Sequence, residues 1–127
     1  MLSRSVEDYL EAIYETRRDD GSSRTIDIAK RLDIRPPSVT EMLRKLDEKG
    51  YVRYKEYRGA TLTKTGEQIA RVISHRHEML TELLEKLGVP EDIAEKDACV
   101  MEHHLDPKTV EKLKGFLSFL KKNPNIL

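Results

Sequence analysis

A change of hydrophobic period in the middle of the chain constrains the fold more than any other feature. Up to Gly50 the apolar residues recur every three or four positions. Between residues 51 and 62 they alternate, and beyond Thr63 the helical spacing returns. Helices, a short two-stranded ribbon and then more helices must therefore follow one another in that order.

The first helical stripe is Val6, Tyr9, Leu10, Ile13 and Tyr14, spaced i, i+3, i+4, i+7, i+8. Asp19-Asp20-Gly21-Ser22-Ser23 reads as a loop, and Thr25 as the N-cap of a short helix that buries Ile28, Ala29 and Leu32. After the tight connection Asp33-Ile34-Arg35, Pro36 and Pro37 fit only the first turn of the next helix, where a missing N–H costs nothing. That helix runs through Val39, Met42, Leu43 and Leu46 to a stop at Gly50. Tyr51-Val52-Arg53-Tyr54 and Ala60-Thr61-Leu62 are the two strands, joined by Lys55-Glu56-Tyr57-Arg58-Gly59. Thr63 caps a long helix with Ile69, Val72, Ile73, Met79, Leu80, Leu83 and Leu84 inward, ending at Gly88. Pro90 is expected at N1 of a helix reaching about His104. Asp106-Pro107 starts a last helix with Val110, Leu113, Phe116, Leu117 and Leu120 inward. The expected fold is mainly α: a winged helix-turn-helix over residues 1–70, followed by an all-helical domain over residues 71–127.

Equal numbers of basic and acidic residues, 23 of each, conceal a pattern. Residues 1–21 carry 3 basic and 6 acidic groups, residues 22–66 carry 11 and 6, and residues 67–127 carry 9 and 11. The basic excess coincides with the helix-turn-helix and wing, the footprint expected of a nucleic-acid partner. No apolar run approaches the roughly 18 residues of a membrane span, and no basic-then-apolar leader stands at the N-terminus. A single cysteine forms no internal disulfide and suits a reducing cytoplasm.

Opposite the inward stripe of the third helix lie Pro37, Ser38, Thr40, Glu41, Arg44 and Lys45. The N-terminal residues of such a helix meet base edges. Pro37 and the Thr40 methyl suit a thymine methyl, and Ser38 suits a base or a phosphate. Arg35, Arg44 and Lys45 suit phosphates, and Lys55 and Arg58 at the wing suit the backbone or minor groove. The competing reading is a solvated polar face.

A second group of residues suggests metal. Cys99, Glu102 and His103 stand at i, i+3 and i+4 and share one helix face, where a thiolate, a carboxylate and an imidazole make a partial metal site. Asp8 and Glu11 are one turn apart on the first helix, and the long helix carries His75 and His77. Taken singly, Cys99 also reads as a small core residue, His77 as a hydrogen-bonded histidine, and Asp8 with Glu11 as acidic groups favoured near a helix N-terminus.

Together these segments resemble the diphtheria toxin repressor superfamily of metalloregulators, most of all its manganese transport regulator branch. The resemblance rests on Ser5-Val6-Glu7-Asp8-Tyr9-Leu10-Glu11-Ala12-Ile13-Tyr14, Ile28-Ala29, Pro37-Ser38-Val39-Thr40 and Lys45-Leu46. It continues through Tyr57-Arg58-Gly59, Leu62-Thr63-Lys64-Thr65-Gly66, His75-Arg76-His77-Glu78 and Glu102-His103-His104-Leu105. It implies that Asp8, Glu11, His77, Glu102 and His103 are metal ligands. Cys99 stands where the manganese branch has glutamate and the iron-responsive branch has cysteine, whereas Asp8 stands where the iron-responsive branch has methionine. Of the ancillary site of iron-responsive members, His77 is retained and Thr81 replaces an acidic ligand. The SH3-like domain of larger members is expected to be absent.

The hard oxygen ligands suit Mn²⁺ or Fe²⁺, and a thiolate at Cys99 would let Co²⁺ or Zn²⁺ substitute. The implied activity is repression of metal-uptake genes by a homodimer, its two recognition helices about 34 Å apart on a palindromic operator. The surplus of apolar residues near Phe116, Leu117, Phe119 and Leu120 suits dimerisation or a monomer core. Two other classes compete: a winged-helix regulator of a non-metal ligand, and a metal-dependent hydrolase. The second lacks a Gly-rich phosphate loop, a nucleophile elbow and an HExxH motif, so no enzyme is expected.

Overall fold

The computed structural model describes residues 2–127. The chain divides into two compact units, one ending at Val72 and the other spanning Ile73–Leu127. The first contains α1 (Arg4–Glu15), β1 (Ser22–Ser23), α2 (Thr25–Leu32), α3 (Pro36–Glu48), β2 (Val52–Lys55) and β3 (Gly59–Leu62). It also holds the beginning of α4 (Lys64–Lys86), whose remainder joins α5 (Glu91–Met101) and α6 (Pro107–Lys122) in the second unit.

The predicted stripe of α1 is buried: Val6, Tyr9, Leu10 and Ile13 join Ile28, Val39, Leu43, Leu46, Val52 and Ala60 in one aliphatic core. Ser3 opens this helix by accepting from the Val6 N–H at 3.2 Å. α2 ends on Asp33 in the left-handed region (φ 55°), with the Ile34 N–H returning to the Ala29 carbonyl at 3.0 Å. This tight closure sets the turn between the two helices. Pro36 and Pro37 occupy the first turn of α3, as their chemistry demands.

The sheet is antiparallel in the order β1-β3-β2, with Arg53 opposite Thr61 and Thr61 opposite Ser22. Residues 22–23, read from sequence as loop, are thus an edge strand. Ser23 is buried, and its hydroxyl donates to the Ile13 carbonyl at 2.7 Å, a tertiary anchor that no local pattern announces. Gly59 takes φ 96°, and a Cβ there would lie 2.1 Å from the Ser23 carbonyl oxygen, so the wing turn requires glycine.

Thr63 caps α4: its hydroxyl accepts from the Gly66 N–H at 3.1 Å and donates to the Gly50 carbonyl at 2.7 Å. In the second unit, Leu83, Leu117 and Leu120 form a small core with Met79 and Leu113 packed against it.

Several expectations need correction. Arg24, not Thr25, is the N-cap of α2, and Pro90 is the N-cap of α5 instead of N1. Helix α5 stops at Met101, short of His104, because the chain tightens before Asp106-Pro107: the His104 N–H bonds the Met101 carbonyl three residues back. Val72 and Phe116, expected inward, are 52% and 45% exposed. A helical stripe broader than the neighbouring surface leaves its flanks outside, and these two lie on the flanks.

Candidate functional site

In the first unit, α3 buries Val39, Leu43 and Leu46 and turns its other side to solvent. Pro37, Ser38, Glu41, Arg44 and Lys45 are exposed there, Thr40 is half-buried, and Arg35 precedes the helix, also exposed. Glu41 and Lys45 are 3.9 Å apart, one helical turn, so the acidic residue tempers one cation without covering Arg44. At the wing Lys55 and Arg58 are exposed, and Tyr57 between them is 98% exposed with φ 70°. All nine residues read from sequence as DNA-facing are thus partly or fully accessible. Arg18 and Arg53 were not among them, yet they border the same wing. The period-two exposure of Arg53 and Lys55 along β2 was the available signal.

In the second unit, Glu102 terminates α5 and its side chain has no exposed area. One carboxylate oxygen, Oε2, lies 3.0 Å from His77 Nδ1 of α4; the other, Oε1, lies 3.2 Å from His103 Nε2. Among the described residues, none donates a hydrogen bond to Oε1. Arg76 donates to the Glu102 backbone carbonyl at 3.3 Å, a contact not anticipated from sequence, which fixes the turn that carries the carboxylate. A buried carboxylate requires compensating positive charge. The groups placed to supply it are the two flanking imidazoles and a divalent cation held with them. One carboxylate between two imidazoles, with an oxygen lacking a hydrogen bond, is a donor set that fits a cation of the Mn²⁺, Fe²⁺ or Zn²⁺ type. Cys99 is half-buried on the last turn of α5, one turn before Glu102.

On α1, Glu11 is only 7% exposed, and Asp8, one turn earlier, lies 3.9 Å from Arg4. A mostly buried glutamate beside an apolar stripe is the second unusual carboxylate of the chain.

Two family descriptions together span nearly the whole sequence. "Iron dependent repressor, N-terminal DNA binding domain" matches residues 1–60, and "Iron dependent repressor, metal binding and dimerisation domain" matches residues 63–127. The chain belongs to the iron dependent repressor family. It is a metal-dependent transcriptional regulator, not an enzyme. Among relatives of this family, the HTH-type transcriptional regulator MntR of Lysinibacillus sphaericus is 38% identical over 127 residues, covering 100% of this chain and 91% of the relative. MntR of Bacillus subtilis is 36% identical over 123 residues, covering 97% and 87%. A manganese-dependent transcriptional repressor solved in complex with manganese superposes with a TM-score of 0.79 at 28% identity. It covers 90% of this chain, and this chain spans only 53% of its length. A hypothetical protein of Sulfolobus solfataricus gives a TM-score of 0.68 at 30% identity, covering 91% and 89%. Membership of the iron dependent repressor family accords with the winged helix-turn-helix and with the helical second unit.

Proposed function

We propose that the protein is a Mn²⁺- or Fe²⁺-activated repressor of metal-uptake genes that works in the cytoplasm and binds a palindromic operator as a homodimer. Residues 1–70 make the DNA-binding part and residues 71–127 the metal-binding and dimerisation part. The observation that carries this reading is the buried Glu102 carboxylate between His77 and His103, with one oxygen lacking a hydrogen bond.

Asp8, Glu11, His77, Glu102 and His103 are the proposed ligands, with Cys99 as the soft donor beside them. A bound divalent cation would supply the positive charge that offsets these carboxylates. His77 and His103 serve as neutral ring-nitrogen donors, and Glu102 as the anionic donor held by Arg76 through its backbone carbonyl. Asp8 and Glu11 belong to the helix that packs against the helix-turn-helix. Ligation by them links metal occupancy to the DNA-binding unit. On α3, Pro37, Ser38, Thr40 and Glu41 face the bases, while Arg35, Arg44, Lys45, Lys55 and Arg58 contact phosphates. Phe116 and Phe119, stacked at 6.4 Å between centroids and about half exposed, support a role for α6 in dimerisation.

Calorimetric titration of Mn²⁺ and Fe²⁺ without oxygen tests the ligand set. Glu102→Gln keeps the shape of the side chain and removes its charge, so it is expected to weaken binding by at least about tenfold. Unchanged affinity for both ions would remove Glu102 from the site and this reading with it.

A further inference from the structure

Arg17 stands just beyond the end of α1, and its guanidinium is held on several sides. Nε donates to the Tyr14 carbonyl at 3.0 Å, and Nη1 donates to Glu67 Oε1 at 3.2 Å. The charged carbon lies 4.1 Å from the centre of the Tyr14 ring. The Tyr14 carbonyl belongs to the last turn of α1, where oxygens run out of helical donors and a cation meets the negative end of the helix dipole. Glu67 stands in the first turn of α4, the positive end of that helix. Each charge therefore sits at the helix end that favours it.

The pair joins residues 50 apart in sequence and ties the end of α1 to the start of α4 inside the first unit. An isolated pair with side chains 31% and 38% exposed contributes little. Here the Tyr14 ring and carbonyl pre-set the guanidinium, so less freedom is lost when it meets Glu67. Thr63 already fastens the first turn of α4 to the Gly50 and Tyr51 carbonyls. A helix fastened at one point still pivots. A second fastening one turn further, against a different element, fixes its direction. Helix α4 then runs on without a break, and His77 lies about 15 Å beyond Glu67 along its axis.

We infer that Arg17 and Glu67 are the positioning pair of the metal switch: they touch neither cation nor DNA, and they make ligation on α4 felt by the recognition helix. The inference rests on the metal-activated reading, in which a cation joins His77 of α4 to Asp8 and Glu11 of α1. With α4 tied to the end of α1, that closure selects one direction of α4 relative to the DNA-binding helices. Without the tie, α4 pivots about Thr63, and the cation is bound without ordering the unit that meets DNA.

Affinity of the full chain for a duplex from a manganese-uptake promoter is measured in chelator and in saturating Mn²⁺ at one salt concentration, and the ratio of the two is the readout. Arg17→Ala and Glu67→Ala are each expected to lower that ratio about three- to fivefold, and the double variant no further, because either change breaks the same tie. Arg71 also donates to Glu67 Oε1, at 3.3 Å, but from the same helix, so Arg71→Ala keeps the ratio within about twofold. A merely structural role, or a general loss of positive charge, weakens binding equally in chelator and Mn²⁺ and leaves the ratio unchanged. Thermal unfolding checks that the variants fold, and if one does not, the other single variant decides. The inference is overturned if the ratio survives both single changes, if their losses add in the double variant, or if Arg71→Ala lowers the ratio as much as Arg17→Ala; the metal-activated reading then stands without it. Equal binding of the unchanged protein in chelator and Mn²⁺ overturns both.

Discussion

Single residues fix the geometry that the function needs, and Gly66 is the clearest case. It stands in the first turn of α4, where a Cβ would lie 2.0 Å from the Tyr51 carbonyl oxygen. That oxygen already accepts from the Thr63 N–H at 3.1 Å and cannot retreat without breaking the junction of α3, β2 and α4. Gly66→Ala is therefore expected to destabilise the first unit by about 2–3 kcal/mol, measured by urea unfolding. A loss below about 0.5 kcal/mol would mean that the junction yields easily. Glu102 shows the opposite use of a single residue. Its burial is costly by itself and becomes reasonable only with positive charge on both sides. From sequence, Glu102 and His103 were readable as donors by their spacing. The approach of His77 was not, because it depends on how α4 and α5 pack.

At the scale of elements, the caps decide where helices begin, and they were legible in part: Thr63 and Asp106 by residue type, whereas the starts of α2 and α5 lie one residue from where Thr25 and Pro90 had suggested. Ser3, Thr63 and Asp106 each accept a backbone N–H at a helix start, and the last two were anticipated from residue type. Thr63 does more than cap: its hydroxyl also reaches the Gly50 and Tyr51 carbonyls, so it joins the end of α3 to the start of α4. Thr63→Ala should cost about 1–2 kcal/mol by chemical denaturation, and Thr63→Ser should recover most of it. An equal loss for both variants would place the effect in the methyl group and not in the cap. The less legible elements share a physical cause. A two-residue strand such as β1 has no period to detect, and its place is set by pairing with Thr61 and Ala60. The end of α5 is set by the turn before Pro107. The exposure of Val72 and Phe116 depends on neighbouring surfaces that a single helix pattern does not contain. By contrast, the recognition helix was readable because the double proline, the buried stripe and the Gly50 stop agree at every level.

For the whole molecule, the proposed mechanism links two units with different tasks. The proposed ligands Asp8 and Glu11 belong to the unit that carries the recognition helix. His77, Glu102 and His103 belong to the unit matched as the metal-binding and dimerisation domain. A cation that takes donors from both favours the arrangements in which both sets converge. By thermodynamic reciprocity, DNA that prefers those arrangements tightens metal binding by the same factor. The donor set suits Mn²⁺ and Fe²⁺, and Cys99, half-buried one helical turn before Glu102, bears on the choice between them if it joins the set. The decisive measurement is anaerobic fluorescence anisotropy on a manganese- or iron-uptake promoter, with the same protein in chelator and in Mn²⁺ or Fe²⁺ at one fixed salt concentration. Affinity is expected to rise at least about tenfold with one of these ions, a coupling of about 1.4 kcal/mol. Equally tight binding in chelator would rule out the metal switch.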